Sequence, residues 1–372
     1  MLRNLEQKVQ SSGFELIHPV QTAWYNRAIR NEGLVESGAL KALPEPPPSL
    51  HGDDGKRSFP PAYNAVLIGN TKTVWPSFVS WLAARVEEEE RRHVCGSGDI
   101  TGTSSDFDPA VEDVLRSSPF DTYCEEALSQ SIQEAATGDA SEVTSYELFW
   151  SNGKRQKFST QIHRPSSSDR QSSPGGNHNV ASAAAKRQYH CFDCNQDSFL
   201  VSMQRVANLT GQYWHDEDGT KLCVHPVYGT WTAFRVLVVF TSADRNISGN
   251  NGDTIPPPPP SCPCPVPEQE LKEARAIFDY ALEMNLSDRG SGGNYGATSD
   301  KSWAELCTLL HSKVCQGSVW DEVPESMKPW IELRNAIGVG RSDWKYDDAQ
   351  LLYHYTKDPV ILKSELKKLR QS

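Results

Sequence analysis

The segment that most restricts the fold is Val236–Phe240, VLVVF, an unbroken apolar run rich in β-branched residues. Such side chains pack well on a pleated surface. A run with no polar alternation has no solvent face, so it reads as a strand buried in the core. The stretch that leads into it, Leu222 to Phe234, reads LCVHPVYGTWTAF. It places a Cys, a His, a Pro, a Gly and a Trp at the mouth of a core strand.

A buried strand needs partners and a layer on each face. AYNAVLIGNT supplies one strand, stopped by Gly69, Asn70 and Thr71, and SYELFW supplies another. Between them VWPSFVSWLAARVEEEERR reads as a helix, with Trp75, Phe78, Val79 and Leu82 on one face and Pro76 in its first turn. SPFDTYCEEALSQSIQEAA, SFLVSMQRVANLTGQYW and EQELKEARAIFDYALEMNL read as further helices. A short amphipathic helix is expected over residues 1–12 on Leu2, Leu5 and Val9, and DPVILKSELKKLRQS closes the chain as a helix. Helices separate the strands too widely for a meander of hairpins, so the pattern favours an α+β or α/β layered sandwich over a barrel.

The apolar content is 37% over 372 residues, low for a chain that is globular throughout. This implies a single domain, residues 1–372, with insertions at 84–117, 151–190 and 241–300 that are largely flexible. Residues 151–188 and 247–265 are expected to be dispensable, because their Ser/Gly-rich and Pro-rich composition buries too little to offset ordering entropy. HDED, His215–Asp218, reads as a solvated turn before Gly219.

The net charge of −11, without a long basic run, argues against a nucleic-acid binder. No run approaches eighteen apolar residues, so no membrane span is expected. The start MLRNLEQKVQ lacks the apolar centre of a signal peptide. Nine scattered cysteines fit reduced thiols, and the expected location is cytoplasmic.

His190, Cys191 and Cys194 in HCFDC have zinc-ligand chemistry, and Cys262 and Cys264 in CPC are the nearest further donors. The second half of a paired zinc-knuckle spacing is missing, so the expectation is incidental thiols and no metal site. No dinucleotide-binding glycine motif, phosphate loop or nucleophile elbow occurs. The aromatics of QTAWYN, TGQYWH and HPVYGTWTAF suit either core packing or the walls of a site for a large flat ligand.

Two segments carry a resemblance. GFELIHPVQTAWYN resembles a Gly-Phe-Glu…Gln-x-Ala-Trp-Tyr-Asn opening, and LCVHPVYGTWTAFR resembles a Val-Cys-Ile-His-Pro-Arg-Phe-Gly-Gly-Trp-Phe-Ala-x-Arg segment. SPFDTYCEEAL and DWKYDDA fit weaker blocks in the same order. The family is the cobalamin-trafficking proteins of the methylmalonic aciduria and homocystinuria type C group, which are cyanocobalamin reductases and alkylcobalamin dealkylases. The resemblance implies an α+β fold similar to flavin-dependent nitroreductases, with a central mixed or antiparallel sheet packed by helices. It implies a flavoprotein (FMN or FAD, NADP-linked) that binds cobalamin base-off and removes its upper ligand. Reduced flavin would drive decyanation and glutathione would dealkylate. A downstream cobalamin-accepting protein is an implied partner.

By that resemblance Tyr213, Trp214, Cys223, His225, Pro226, Gly229, Trp231, Phe234 and Tyr346 line a cobalamin site. Arg235 binds a glutathione carboxylate, and no protein side chain is catalytic. Alternatives are a cobalamin chaperone without catalysis and a flavin reductase of the same fold. Several positions depart from the family pattern. Arg205 stands in place of His, Lys221 in place of Gly, and Thr230 and Thr232 flank Trp231 in place of Gly and Phe. Trp214 replaces Gln after Tyr213, and Asp347 replaces an Arg of the glutathione pocket.

Overall fold

In a computed structural model, residues 2–45, 63–96, 109–137, 143–161, 188–193, 200–243, 257–288 and 321–371 are described. The strands are β1 (Leu16–Val20), β2 (Ala65–Asn70), β3 (Val143–Trp150), β4 (Arg155–Gln161), β5 (Gln188–Asp193), β6 (Trp214–His215), β7 (Cys223–Val224) and β8 (Ala233–Ala243). The helices are α1 (Leu2–Ser11), α2 (Thr22–Asn31), α3 (Val74–Gly96), α4 (Pro109–Arg116), α5 (Pro119–Thr137), α6 (Met203–Leu209) and α7 (Glu268–Asp288). They continue as α8 (Lys328–Asn335), α9 (Arg341–Trp344), α10 (Asp348–Thr356) and α11 (Pro359–Gln371).

VLVVF lies in β8, at the interior of a six-stranded sheet ordered β1-β2-β8-β3-β4-β5. Every neighbouring pair is antiparallel, so of the two arrangements expected the antiparallel one holds and the class is α+β. Side chains alternate between the two faces of a strand. Val236 and Val238 join Val66, Ile68 and Leu148 on one face, against α1, α3, α5 and α11. Leu237 and Val239 join Ala65, Leu67 and Phe149 on the other, against α2 and α6. Both faces are covered, which explains the absence of polar alternation in the run. Each such side chain contributes about 1.5–3 kcal/mol on burial.

Trp75, Phe78, Val79 and Leu82 of α3 are all buried in the first of these clusters, as their spacing requires, and Leu5 and Val9 of α1 join them while Leu2 is exposed. The helix expected over SFLVSMQRVANLTGQYW is shorter, since α6 ends at Leu209 and Gly211 adopts φ +72°.

Parts of the ranges expected to be flexible are built into the fold. α3 runs on to Gly96, and α4 buries Val111 and Leu115. β4 pairs with β3 and β5, and its Phe158 stacks on Tyr146 at 4.9 Å, so one aromatic anchor secures a polar strand. Residues 155–161 of the 151–188 range are thus part of the sheet. In the 247–265 range Cys262 is buried, and Pro259 and Pro260 lie against Gly211. The rest of both ranges lies outside the described residues.

β6 and β7 form a separate two-stranded sheet joined by the turn at 216–222. This turn is exposed at Asp218 and Lys221, as expected of a solvated turn, but not at Asp216. Asp216 is buried and accepts from Thr220 N at 2.8 Å, from Arg275 Nη2 at 2.5 Å and from Arg275 Nε at 3.2 Å. Burial opposes ionisation of Asp216, but these hydrogen bonds outweigh it and hold the carboxyl below its ordinary value. Lys221, which stands where the family pattern has Gly, adopts φ +60°, a left-handed conformation that glycine adopts without strain.

Candidate functional site

The two sequence segments that carry the resemblance meet at one end of the sheet. His18 comes from β1, and its Nε2 lies 3.2 Å from the hydroxyl of Tyr213. The Tyr213 ring meets the rings of His18, His225 and Phe234 edge-on, at 5.2, 5.0 and 5.1 Å. His225 stacks on Tyr228 at 4.5 Å, and Tyr228 meets Trp344 of α9 edge-on at 4.6 Å. The result is a continuous aromatic column from β1 and β8 to the C-terminal helices.

The electrostatics of the column are neutral. Burial lowers the His225 pKa to about 4. Burial, then the neighbouring His225, lowers that of His18 to about 4 as well. His225 Nδ1 accepts from the backbone N–H groups of Val227 and Tyr228 at 3.1 and 3.3 Å, so the ring proton resides on Nε2. Cys223 donates to the carbonyl of Gln204 at 3.3 Å, and burial pushes its thiol pKa well up. It stays a thiol, and a thiol is a poor nucleophile.

A β-bulge decides where the next residues point. Between Ile68 and Gly69 the register of β2 on β8 slips, so Arg235 has no partner of its own. Phe234 packs with Leu237 on the α2/α6 face. The bulge turns Arg235 to the opposite face, where its guanidinium lies 4.9 Å from the Phe120 ring centroid. Gly69 is required there, since a Cβ would stand 2.6 Å from the Ala233 carbonyl. Arg235 Nε donates to Asn70 Oδ1 at 2.7 Å. Its partner is thus a neutral amide, not the acid that a structural ion pair would require.

Beyond Phe120 lies His354 of α10, with ring centroids 4.8 Å apart. Tyr346 lies 5.2 Å from His354 and 5.4 Å from Trp231. Arg334 covers both Trp231 and Tyr346, at 4.4 and 4.9 Å, and donates twice to the Thr230 carbonyl. Burial, followed by Arg235, Lys357 and Arg334, holds the His354 pKa well below its ordinary value. His354 Nε2, Trp231 Nε1 and both amide atoms of Gln350 are buried without a partner among the described residues. Cations held by neutral acceptors beside unsatisfied polar atoms form an arrangement suited to an anion.

The residues expected to line one site are therefore divided. Tyr213, His225 and Phe234 share the column, while Trp231, Tyr346 and Arg235 lie around His354. Trp231 is fully buried in a cluster with Ile331, Leu351 and Leu352, with its Nε1 turned toward the group around His354 and without a partner among the described residues. Trp214 packs with Val224, Ile277 and Leu333 instead of joining Tyr213, because β6 turns alternate side chains to opposite faces. Pro226 is exposed. The space at Gly229 is taken by the Val339 carbonyl, only 1.8 Å from where a Cβ would stand, and not by room for a ligand. Asp347 is the N-cap of α10, accepting from Gln350 N at 2.8 Å. Arg205 is consumed by ion pairs to Glu32 and Glu217.

His190 and Cys191 sit in β5, and Cys194 lies outside the described residues. No group of three or more metal-ligating side chains occurs among the described residues. No described helix is long and apolar enough to cross a membrane. His18, Asn70, Tyr228, Arg334 and His354 were not foreseen as site residues. His18 stands inside a matched segment, which was a usable signal. Arg334 and His354 carry none, because only tertiary packing brings α8 and α10 to β8.

The depressed histidines have a measurable consequence. The folded-state pKa values of His18 and His225 lie near 4 against 6.5 for the free group, so the unfolded chain binds more protons between those limits. Stability is fully present above about pH 6.5 and falls as pH drops toward about 4. Each histidine adds a slope of up to about 1.4 kcal/mol per pH unit, reduced where solvent reaches it. Urea midpoints measured from pH 7 to 4 check this; a flat profile across that window would assign the histidines ordinary titration.

No family model matches the sequence, and no curated protein matches it. Among solved structures, the chain is similar to the crystal structure of a C. elegans B12-trafficking protein CblC, a human MMACHC homologue. The identity is 15%, the TM-score is 0.38, and the match covers 91% of this chain and 95% of that one. A likeness of that degree carries no argument about fold or function.

Proposed function

We propose that this chain is a cytosolic cobalamin-processing protein that binds cobalamin base-off and removes its upper axial ligand. The observation that supports this is the meeting of His18, His225 and Phe234 around the Tyr213 ring. It joins the two segments whose sequences resemble the cobalamin-trafficking family. The aromatic column offers apolar surface for the corrin, and His225 Nε2–H offers a donor for a corrin side-chain amide. Two neutral histidines keep that surface uncharged at physiological pH.

The protein supplies no nucleophile in this reading, since Cys223 is held protonated. Cobalamin is the substrate, and the attacking sulfur is that of glutathione. Its thiolate attacks the alkyl carbon, the cobalt–carbon bond breaks, and the electron pair remains on cobalt. Arg235 holds a glutathione carboxylate through its guanidinium fork. Arg334 and Lys357 add positive potential, which offsets the family arginine missing at Asp347. A flavin would supply the electrons for decyanation. The product would pass to a cobalamin-accepting protein.

The test is a visible spectrum of methylcobalamin mixed with excess protein. A change from red to yellow-orange is expected, reporting loss of the lower axial ligand; an unaltered spectrum at saturating protein would refute the proposal. Arg235→Gln keeps bulk and hydrogen bonding but removes charge. Thiol-dependent dealkylation should fall at least about tenfold, equivalent to about 1.4 kcal/mol, with a much smaller change in decyanation. Equal loss of both activities with a lower melting temperature would make Arg235 structural.

A further inference from the structure

We propose that Asn70 is a positioning residue that keeps Arg235 aimed and electrically uncompensated for the carboxylate of a thiol co-substrate. This inference rests on the reading of Arg235 given above. Asn70 is buried at the end of β2, immediately after the bulge glycine. Its Oδ1 accepts from Arg235 Nε at 2.7 Å, and its Nδ2 donates to the Thr71 carbonyl at 2.8 Å. The second bond fixes which end of the amide faces the arginine, because a flipped amide would set N–H against N–H. Among the described residues that bond to Nε is the one hydrogen bond of the Arg235 side chain. Both Nη groups are left for a ligand, and the Phe120 ring holds the plane of the guanidinium from one side.

The choice of amide over acid is the important point. Three other arginines are matched by carboxylates, Arg155 by Glu147, Arg205 by Glu32 and Glu217, and Arg275 by Asp216, whereas Arg334 beside the same site is, like Arg235, held by a neutral acceptor, the Thr230 carbonyl. Arg155 also lies over an aromatic ring, Phe149, so ring stacking does not by itself dispense with an acid. An Asp at position 70 would occupy the same volume and accept the same hydrogen bond. It would also cancel the guanidinium charge before any ligand arrived. A neutral acceptor orients the fork and leaves its full charge for an incoming carboxylate.

The probe is S-methylglutathione, which carries the carboxylates but has no reactive thiol. Its binding to the wild-type chain is measured by calorimetry at several salt concentrations, beside the Asn70→Asp and Asn70→Ala variants. Wild-type affinity should fall with added salt. Asn70→Asp should bind at least about tenfold more weakly, with a flatter salt dependence. Asn70→Ala, which loses the aim but keeps the charge, should lose less than Asn70→Asp. In dealkylation assays the Asp variant should raise KM for glutathione with little change in kcat.

Equal weakening by Ala and Asp, or an Asp variant that binds like wild type, overturns the inference. If Asn70→Asp does not fold, the wild-type salt series decides: affinity insensitive to salt overturns it. A wild-type chain that gives the methylcobalamin spectral change but binds no S-methylglutathione also overturns it, and leaves cobalamin binding intact. Binding of S-methylglutathione without a spectral change refutes the cobalamin reading and leaves the role of Asn70 in anion binding standing.

Discussion

Trp231→Ala is expected to destabilise the protein by about 3–5 kcal/mol, the range for emptying a large aromatic from a closed core. The ring is fully buried among Ile331, Leu351, Leu352 and Tyr346. Arg334 spreads over its face at 4.4 Å, so truncation also strips a buried cation of its aromatic partner. Equilibrium urea unfolding measures the loss. Corrin affinity, measured on protein that remains folded at low temperature, should change little, because the ring is separated from the aromatic column. An intact urea midpoint combined with weakened corrin binding would reverse this assignment and return Trp231 to the wall of the site. Trp231→Phe retains a ring and should cost distinctly less.

Gly229→Ala is expected to cost about 2–5 kcal/mol by two additive routes. The residue has φ +59°, where a Cβ adds about 1–2 kcal/mol. That Cβ would stand 1.8 Å from the Val339 carbonyl, so the 338–341 turn must move, at an overpacking cost of about 1–3 kcal/mol. Gly340 meets the same loop from the other side, with Tyr228 C and Val227 O each 2.5 Å from its virtual Cβ. The two turns interlock, and neither tolerates a side chain. Gly153→Ala provides the reference: it has φ +84° and nothing within 4 Å of its virtual Cβ, so it should carry the conformational cost alone. If the two variants melt together, the interlock contributes nothing and Tyr228 reaches Trp344 without it.

Much of the layered core was legible because periodicity is a local property. The buried run in β8 and the α3 stripe at Trp75, Phe78, Val79 and Leu82 could be assigned from spacing alone. The β4 strand was not, because RQKFSTQ shows one apolar anchor and its pairing partners are remote in sequence. The contacts of the proline stretch before α7 were not legible for a related reason. Composition measures what a segment could bury alone, and Cys262 is buried by neighbours that the segment does not contain. At the site, the chemical types at His225, Phe234 and Arg235 were visible, but their separation to two faces depends on a one-residue slip beside Gly69. Asn70 was read only as the end of a strand. Nothing in one sequence distinguishes an amide that stops a strand from an amide that holds a guanidinium.

The position of β8 also constrains the order in which the chain can assemble during synthesis. It pairs with β2 on one side and β3 on the other, and β2 and β3 do not pair with each other. Until residues 233–243 leave the ribosome, both strands present edges of unpaired backbone N–H and C=O groups. Open edges of that kind recruit other chains. Loop closure over such long spans is slow, so the interval is extended. The sheet closes in one late insertion that seals two edges at once. Shorter products that stop before β8 would therefore leave β1-β2 and β3-β4-β5 as two unjoined sheet fragments.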